Sequence, residues 1–94
     1  MTIHFVVHGE GDSTGVVVVE GVKAGDQLDG WVMDQDKIVK IQALTEIPIG
    51  HKLAIQPLAA GDTVIKYGAD IGRAVAPVRV GEHLHVHNLK TKRW

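Results

Sequence analysis

The sequence predicts an all-β domain of many short strands and tight glycine turns, on three observations. No segment holds a helical period of apolar residues for ten positions, short runs rich in Val and Ile alternate with turn residues, and one glycine-centred heptapeptide recurs four times. The recurring pieces are VKAGDQL (22–28), IPIGHKL (47–53), LAAGDTV (58–64) and VRVGEHL (78–84). Each reads aliphatic, two residues, glycine, polar, any residue, aliphatic. The pattern predicts four tight turns in which Gly25, Gly50, Gly61 and Gly81 supply a φ that other residues reach only at a cost, each turn then feeding a strand. Their unequal spacings of 25, 11 and 20 residues exclude a solenoid.

In chain order, IHFVVH (3–8) and GVVVVE (15–20) flank the turn-rich GEGDSTG. The continuous run Val16–Val19 reads as a strand covered on both faces. WVM (31–33) and KIVKIQAL (37–44) flank Asp34-Gln35-Asp36, which reads as a hairpin turn. HKLAI (51–55), TVIKYG (63–68), RAVAPV (73–78) and EHLHVHN (82–88) complete the set, and Pro77 marks its run as an edge strand. LAAG at 58–61 supplies at most one helical turn.

Residues 1–94 read as a single domain, burying about 60–65% of its unfolded surface, so association with another subunit is expected. With aromatics at only 4%, the core must be built from Val, Ile, Leu and Ala. Zero cysteines exclude disulfides, a thiolate nucleophile and iron–sulfur ligation from this chain, and fit a cytoplasmic protein. The opening MTIHFVVHGEGD carries no signal-peptide pattern, and no run is long enough to cross a membrane as a helix. A net charge of −1 argues against a nucleic-acid partner. That charge is divided unevenly. Residues 1–36 hold seven acids and one base (−6), and residues 37–94 four acids and nine bases (+5), so the C-terminal half suits a small anion or an acidic partner surface, or is simply a solvated basic tail.

Three places carry chemistry. In GEHLHVHN, His83, His85 and His87 alternate with Leu84 and Val86, the period of a strand with one imidazole face. Side chains at i and i+2 can converge on one ion, whereas i and i+4, about 13 Å apart along a straight strand, cannot. His85 with His87, or His83 with His85, therefore supplies two metal ligands at best; alternatively the rings simply meet water or backbone. Asn88 sits where the alternation breaks at Leu89, its amide free to bond substrate or backbone. Gly50-His51-Lys52 places a candidate general base, His51, and an anion clamp, Lys52, at a turn–strand junction; both also read as ordinary surface residues. Lys66, in the otherwise apolar TVIKYG, must snorkel or meet an anion, and Tyr67 offers a hydroxyl to an oxyanion. GEGDSTG lacks the lysine of a phosphate-binding loop, and Ser13 has no activating pattern. His4 and His8, at the ends of the first strand, read as structural.

IPIGHKLAI, DTVIKYGADIG and GEHLHVHN together resemble the SAF-type (β-clip) domain that opens altronate and galactarate dehydratases, and residues 47–88 carry the likeness. GVVVVEGVKAGD, GWVMD and HNLKTKRW extend it across the chain and look like the small alpha subunits of (2R)-sulfolactate sulfo-lyases. The resemblance implies a cytoplasmic lyase of two unlike subunits that splits 3-sulfolactate into pyruvate and sulfite. Iron (Fe2+) is the implied cofactor, held mostly by the large (beta) subunit. It further implies His85 and His87 at the metal or its bound substrate, His51 or Lys52 in proton transfer, and Lys66, Tyr67 and Asn88 at the interface with the large subunit. A sulfonate leaving group calls for extra positive charge, which Lys90, Lys92 and Arg93 would provide. The alternatives are the corresponding part of an altronate-type sugar-acid dehydratase and a free-standing β-clip binding module.

Overall fold

Gly25, Gly50, Gly61 and Gly81 take φ values of +93°, +83°, +91° and +92° in the computed structural model, which describes residues 2–9, 11–66, 69–85 and 88–90 (backbone only for 66, 69 and 90). Each occupies the third position of a four-residue turn closed by a backbone bond. Asp26 N–H donates to Lys23 O, His51 N–H to Pro48 O, Asp62 N–H to Ala59 O and Glu82 N–H to Arg79 O, over 3.0–3.1 Å. Positive φ at that position is the geometry of a type II turn.

Each turn is also docked in the same way. The glycine N–H donates to the carbonyl of one distant residue, whose own N–H donates to the carbonyl of the residue after the glycine. Those four docking residues are Ala43, Val17, Ala74 and Ala54, all fully buried. Three of the four are alanines, whose small side chain lets the turn approach closely. The turns combine in pairs: Val22 bridges Ile47, and Leu58 bridges Val78.

The strands between them are short. They are β1 (Phe5–Val7), β2 (Thr14–Val17), β3 (Gln27–Val32), β4 (Lys37–Gln42), β5 (Lys52–Ala54), β6 (Thr63–Lys66), β7 (Ala69–Ala74), β8 (His83–Leu84) and β9 (Leu89–Lys90). A six-stranded sheet runs β4-β3-β1-β2-β5-β8 and a three-stranded sheet runs β6-β7-β9. β1 and β3 pair in parallel; the other pairs are antiparallel. The all-β expectation holds, and among the described residues no helix is long and apolar enough to cross a membrane.

Two apolar clusters follow from the heptapeptide. Its outer aliphatics Val22, Leu28, Ile47 and Leu53 join Phe5, Val7 and Val17 in the first, and Leu58, Val64, Val78 and Leu84 join Ala54 and Ala74 in the second. Neighbouring Leu53 and Ala54 on β5 serve opposite clusters, as strand alternation requires. Ser13 and Thr14 tie the two sheets together: Ser13 N–H and Thr14 Oγ1 donate to Ile65 O, and Ser13 Oγ accepts from Ile65 N–H. The glycine-rich segment before β2 is thus a structural staple.

Three strand boundaries depart from expectation. The Val16–Val19 strand stops at Val17, although Val18 N–H still donates to His4 O in the β1–β2 register, and the Val18 side chain is 43% exposed. In the RAVAPV region the strand lies earlier, over Ala69–Ala74, so Pro77 is not in an edge strand. Ala74 ends the ladder because its N–H and carbonyl are taken by the Gly61 turn, and the chain must then bend to bring Val78 onto Leu58. The strand in EHLHVHN is only His83–Leu84, since the chain turns at His85.

Candidate metal centre

His51, His83 and His85 converge, and the β5–β8 register is the reason. Lys52 pairs with Leu84 and Leu53 with His83; continued by one residue, that antiparallel register sets His51 opposite His85. Directly opposed and diagonal residues on one face of a ladder are near enough to touch. The His51 and His85 rings lie 4.2 Å apart between centroids, His51 and His83 5.0 Å, and His83 and His85 5.6 Å. His51 Nδ1 is 2.8 Å from His83 Nε2, a hydrogen bond that one imidazole donates and the other accepts. All three side chains are half-buried, and one ring nitrogen from each lies within 4.8 Å of the other two.

His51 owes its freedom to Pro48. In the other three turns the residue after glycine is an acid whose carboxylate accepts the N–H of the first turn residue: Asp26 from Lys23, Asp62 from Ala59, Glu82 from Arg79, at 2.8–3.0 Å. In the Pro48–His51 turn the first residue has no N–H to satisfy. No carboxylate is needed there, and a histidine stands in its place, turned toward its counterparts on the neighbouring strand.

Asn88 fixes the other side. Its Oδ1 accepts from His85 N–H at 3.0 Å and its Nδ2 donates to His83 O at 2.8 Å, while His85 O accepts from the N–H of both Asn88 and Leu89. Only 7% exposed, the Asn88 amide bonds backbone on both sides. It folds the chain back so that His85 closes over His83. Thr45 Oγ1 accepts the remaining backbone donor there, His83 N–H, at 3.1 Å.

The sequence-derived candidates divide accordingly. His51 and His85 meet at the centre, together with His83, which alternation along a single strand had left as one of two options. Lys52 pairs across from Leu84, on the face of β5 opposite His51. Lys66 ends β6 and Lys90 ends β9 in the smaller sheet. Tyr67, His87, Lys92 and Arg93 lie outside the described residues. His4 has a structural partner, its Nδ1 accepting from Asp29 N–H at 3.0 Å.

Three imidazoles so placed fit a transition metal. Metal–nitrogen bonds of about 2.0–2.1 Å at right or tetrahedral angles separate adjacent ligand atoms by roughly 3–3.5 Å, inside the observed spread and reachable by rotating the rings. Neutral imidazole suits iron, zinc, copper and nickel. The set would be partial: three imidazoles would leave further ligands to come from substrate or from another protein.

The altronate/galactarate dehydratase SAF domain model matches residues 3–92. The chain is 63% identical, over the full length of both, to the (2R)-sulfolactate sulfo-lyase subunit alpha of Chromohalobacter salexigens. It is 58% identical over 55 residues to the subunit of the same name from Paracoccus pantotrophus, covering 58% of this chain and 82% of that one. It is also 45% identical over 76 residues to altronate dehydratase of Bacillus subtilis, covering 81% of this chain but 14% of the enzyme.

Proposed function

The chain belongs to the altronate/galactarate dehydratase SAF domain family, and on that footing we propose that it is the small subunit of a two-subunit carbon–sulfur lyase acting on (2R)-3-sulfolactate. The C2 proton is removed, the C3–S bond breaks with its electron pair leaving on sulfite, and the resulting enol tautomerises to pyruvate. The dehydratases in the family act on the same 2-hydroxy acid framework and differ in the group expelled from C3. The full-length likeness to sulfo-lyase alpha subunits favours sulfite over water as that group.

The observation that carries the reading is the three-imidazole centre. His51, His83 and His85 would hold the metal, which we assign as iron(II) shared with the large subunit. When bound, such an ion supplies Lewis acidity toward the substrate carboxylate and C2 hydroxyl. Asn88 and Thr45 keep the rings in place by fixing the backbone that bears them. The base for the C2 proton belongs to the large subunit in this scheme, because Lys52 leaves the opposite face of β5. The excess of bases in residues 37–94 attracts a doubly anionic substrate, with Lys90, Lys92 and Arg93 as the proposed contacts for the sulfonate. A cysteine-free chain suits the cytoplasm.

The test is co-purification with the cognate large subunit, then assay of sulfite and pyruvate release from (2R)-3-sulfolactate beside water loss from altronate. Sulfite release that falls when His83 or His85 is replaced by Ala is the expected result. Water loss from altronate without sulfite release would sink the proposal.

A further inference from the structure

β4 closes the six-stranded sheet at the end away from β8, and its outer edge carries an exposed isoleucine, Ile38. Ala43 N–H donates to Asp26 O, continuing the β3–β4 register, so Ile41, Val39 and Lys37 turn their backbone groups toward β3. By the same alternation the N–H and C=O of Ile38 and Lys40 face outward, and among the described residues no backbone group meets them. Gln42 faces outward too, but Gly81 lies against its carbonyl, so the open stretch is 38–40.

The side chains along this edge form a pattern. Cross-strand pairing strings Val16, Val6, Trp31 and Ile38 into one row across β2, β1, β3 and β4, on the face opposite Phe5 and Val17. The first three are half-buried and Ile38 is 39% exposed. Beside that row, Lys40 Nζ bonds Asp29 Oδ1 at 3.0 Å. Asp36 Oδ1 accepts from Trp31 Nε1 at 2.9 Å, so its carboxylate reaches the same face.

We propose that a second copy of this chain pairs antiparallel with β4 about a two-fold axis at Ile38, joining two six-stranded sheets into one of twelve. The edge is self-complementary in that register, as an isologous contact requires. Each Ile38 exchanges two backbone bonds with the second copy's Ile38. Lys40 then stands directly opposite the second copy's Asp36, and Asp36 opposite the second copy's Lys40, so two opposite-charge pairs flank the axis. Asp36 has given one carboxylate oxygen to Trp31 and Lys40 one N–H to Asp29, which leaves each group capacity for that further partner. The apolar row continues across the axis into its own mirror image. Neighbouring registers lose the match: an axis at Val39 sets each isoleucine against a lysine, and one at Lys40 sets two lysines face to face. An edge lysine ordinarily keeps strands apart, and this register is the one of the three that neutralises it. β8 is the opposite edge of the sheet, so the two imidazole centres fall at the far ends of the joined sheet, clear of the contact.

The experiment uses the full chain, alone and co-purified with its large subunit. Sedimentation equilibrium of the free chain should show monomer and dimer in exchange. Ile38→Lys is expected to raise the dimer dissociation constant about 30-fold or more, with the far-UV circular dichroism unchanged. Val75→Lys, at the same 39% exposure but off this edge, should leave the constant at its wild-type value. Cysteines read the register, since the chain has none of its own. Opposed residues of a bonded pair stand about 5.5 Å apart between Cα atoms, within the reach of a disulfide. The two Lys40 residues would be offset by about 13 Å along the strands. Mild oxidation should therefore link Ile38→Cys into a covalent dimer and leave Lys40→Cys unlinked. A wild-type chain that sediments as a monomer would overturn the proposal, as would equal loss of dimer in Val75→Lys or a disulfide in Lys40→Cys in place of Ile38→Cys. An Ile38→Cys link that forms in the free chain but not in the purified pair would give the edge to the large subunit, and overturn it too.

Discussion

His51 Nδ1 and His83 Nε2 stand 2.8 Å apart, although 32 residues separate them in the chain. One ring must donate and the other accept, so the pair is already a shared site for a single proton. A metal ion would take that proton's place.

Removing any one ring should therefore be felt by the whole centre. His51→Ala, His83→Ala and His85→Ala are each expected to weaken cobalt(II) or iron(II) binding to the free chain by about 100-fold, the upper end of what loss of even a supporting residue costs. Far-UV circular dichroism should not change. Titration calorimetry on the three variants checks this, and wild-type affinity in any of them would remove that ring from the ligand set.

Asn88→Ala leaves His85 N–H and His83 O without their side-chain partners at a nearly closed site. The expected loss is about 2–4 kcal/mol of stability, two hydrogen bonds with unsatisfied ends. Asn88→Asp keeps the Oδ1 acceptor but loses the Nδ2 donor, and should fall between Ala and wild type in both melting temperature and metal affinity. Chemical denaturation of the three proteins reads the order.

Two glycines of the same repeat should respond unequally. At Gly25 (φ +93°) an added Cβ meets nothing within 4 Å, so Gly25→Ala is expected to cost about 1–2 kcal/mol for backbone conformation alone. At Gly81 (φ +92°) the same atom would overlap the Gln42 carbonyl oxygen, part of the backbone and unable to swing aside. Gly81→Ala should cost at least about 2 kcal/mol beyond Gly25→Ala, the scale of strained core insertions. Equal unfolding midpoints would contradict the overlap.

Pro48→Ala restores an N–H at the head of the turn and gives it no carboxylate. Adding His51→Asp to that variant recreates the acid found after the other three turn glycines, and is expected to recover about 0.5–1.5 kcal/mol relative to Pro48→Ala alone. The same double variant should lose metal binding. Thermal unfolding and cobalt titration, run side by side, measure the two effects.

Stripping the metal should test the two levels separately. Dialysis against a chelator is expected to abolish turnover of the assembled enzyme while leaving the fold of the small chain intact, because its two apolar clusters do not include the histidines. Unfolding of the small chain on chelation would make the ion a structural one.

The turns were legible in the sequence and the strand ends were not, for different reasons. Positive φ at Gly25, Gly50, Gly61 and Gly81 is a local demand, visible wherever glycine follows the same pattern. Where a strand stops is decided by partners that periodicity does not encode: the Gly61 turn takes Ala74 N–H and carbonyl, and the Asn88 side chain takes His85 N–H. The site divides in the same way. His83 and His85 on one face follow from alternation, but their meeting with His51 depends on a register between two strands that periodicity does not encode. The acid after three of the four turn glycines was the one unused signal. Its replacement by histidine after Pro48 marked His51 as a residue released from turn duty.

That exchange at Pro48 has a consequence for how such a centre can arise. A carboxylate confined to bracing its own bend is unavailable to anything else, and proline removes the reason for confining it. One imino acid, two peptide units upstream of Gly50, therefore licenses a reactive ring without loosening the hinge that carries it. Swaps of this kind at the Ala59 or Arg79 bends would be a route to installing new ligands elsewhere on the same scaffold.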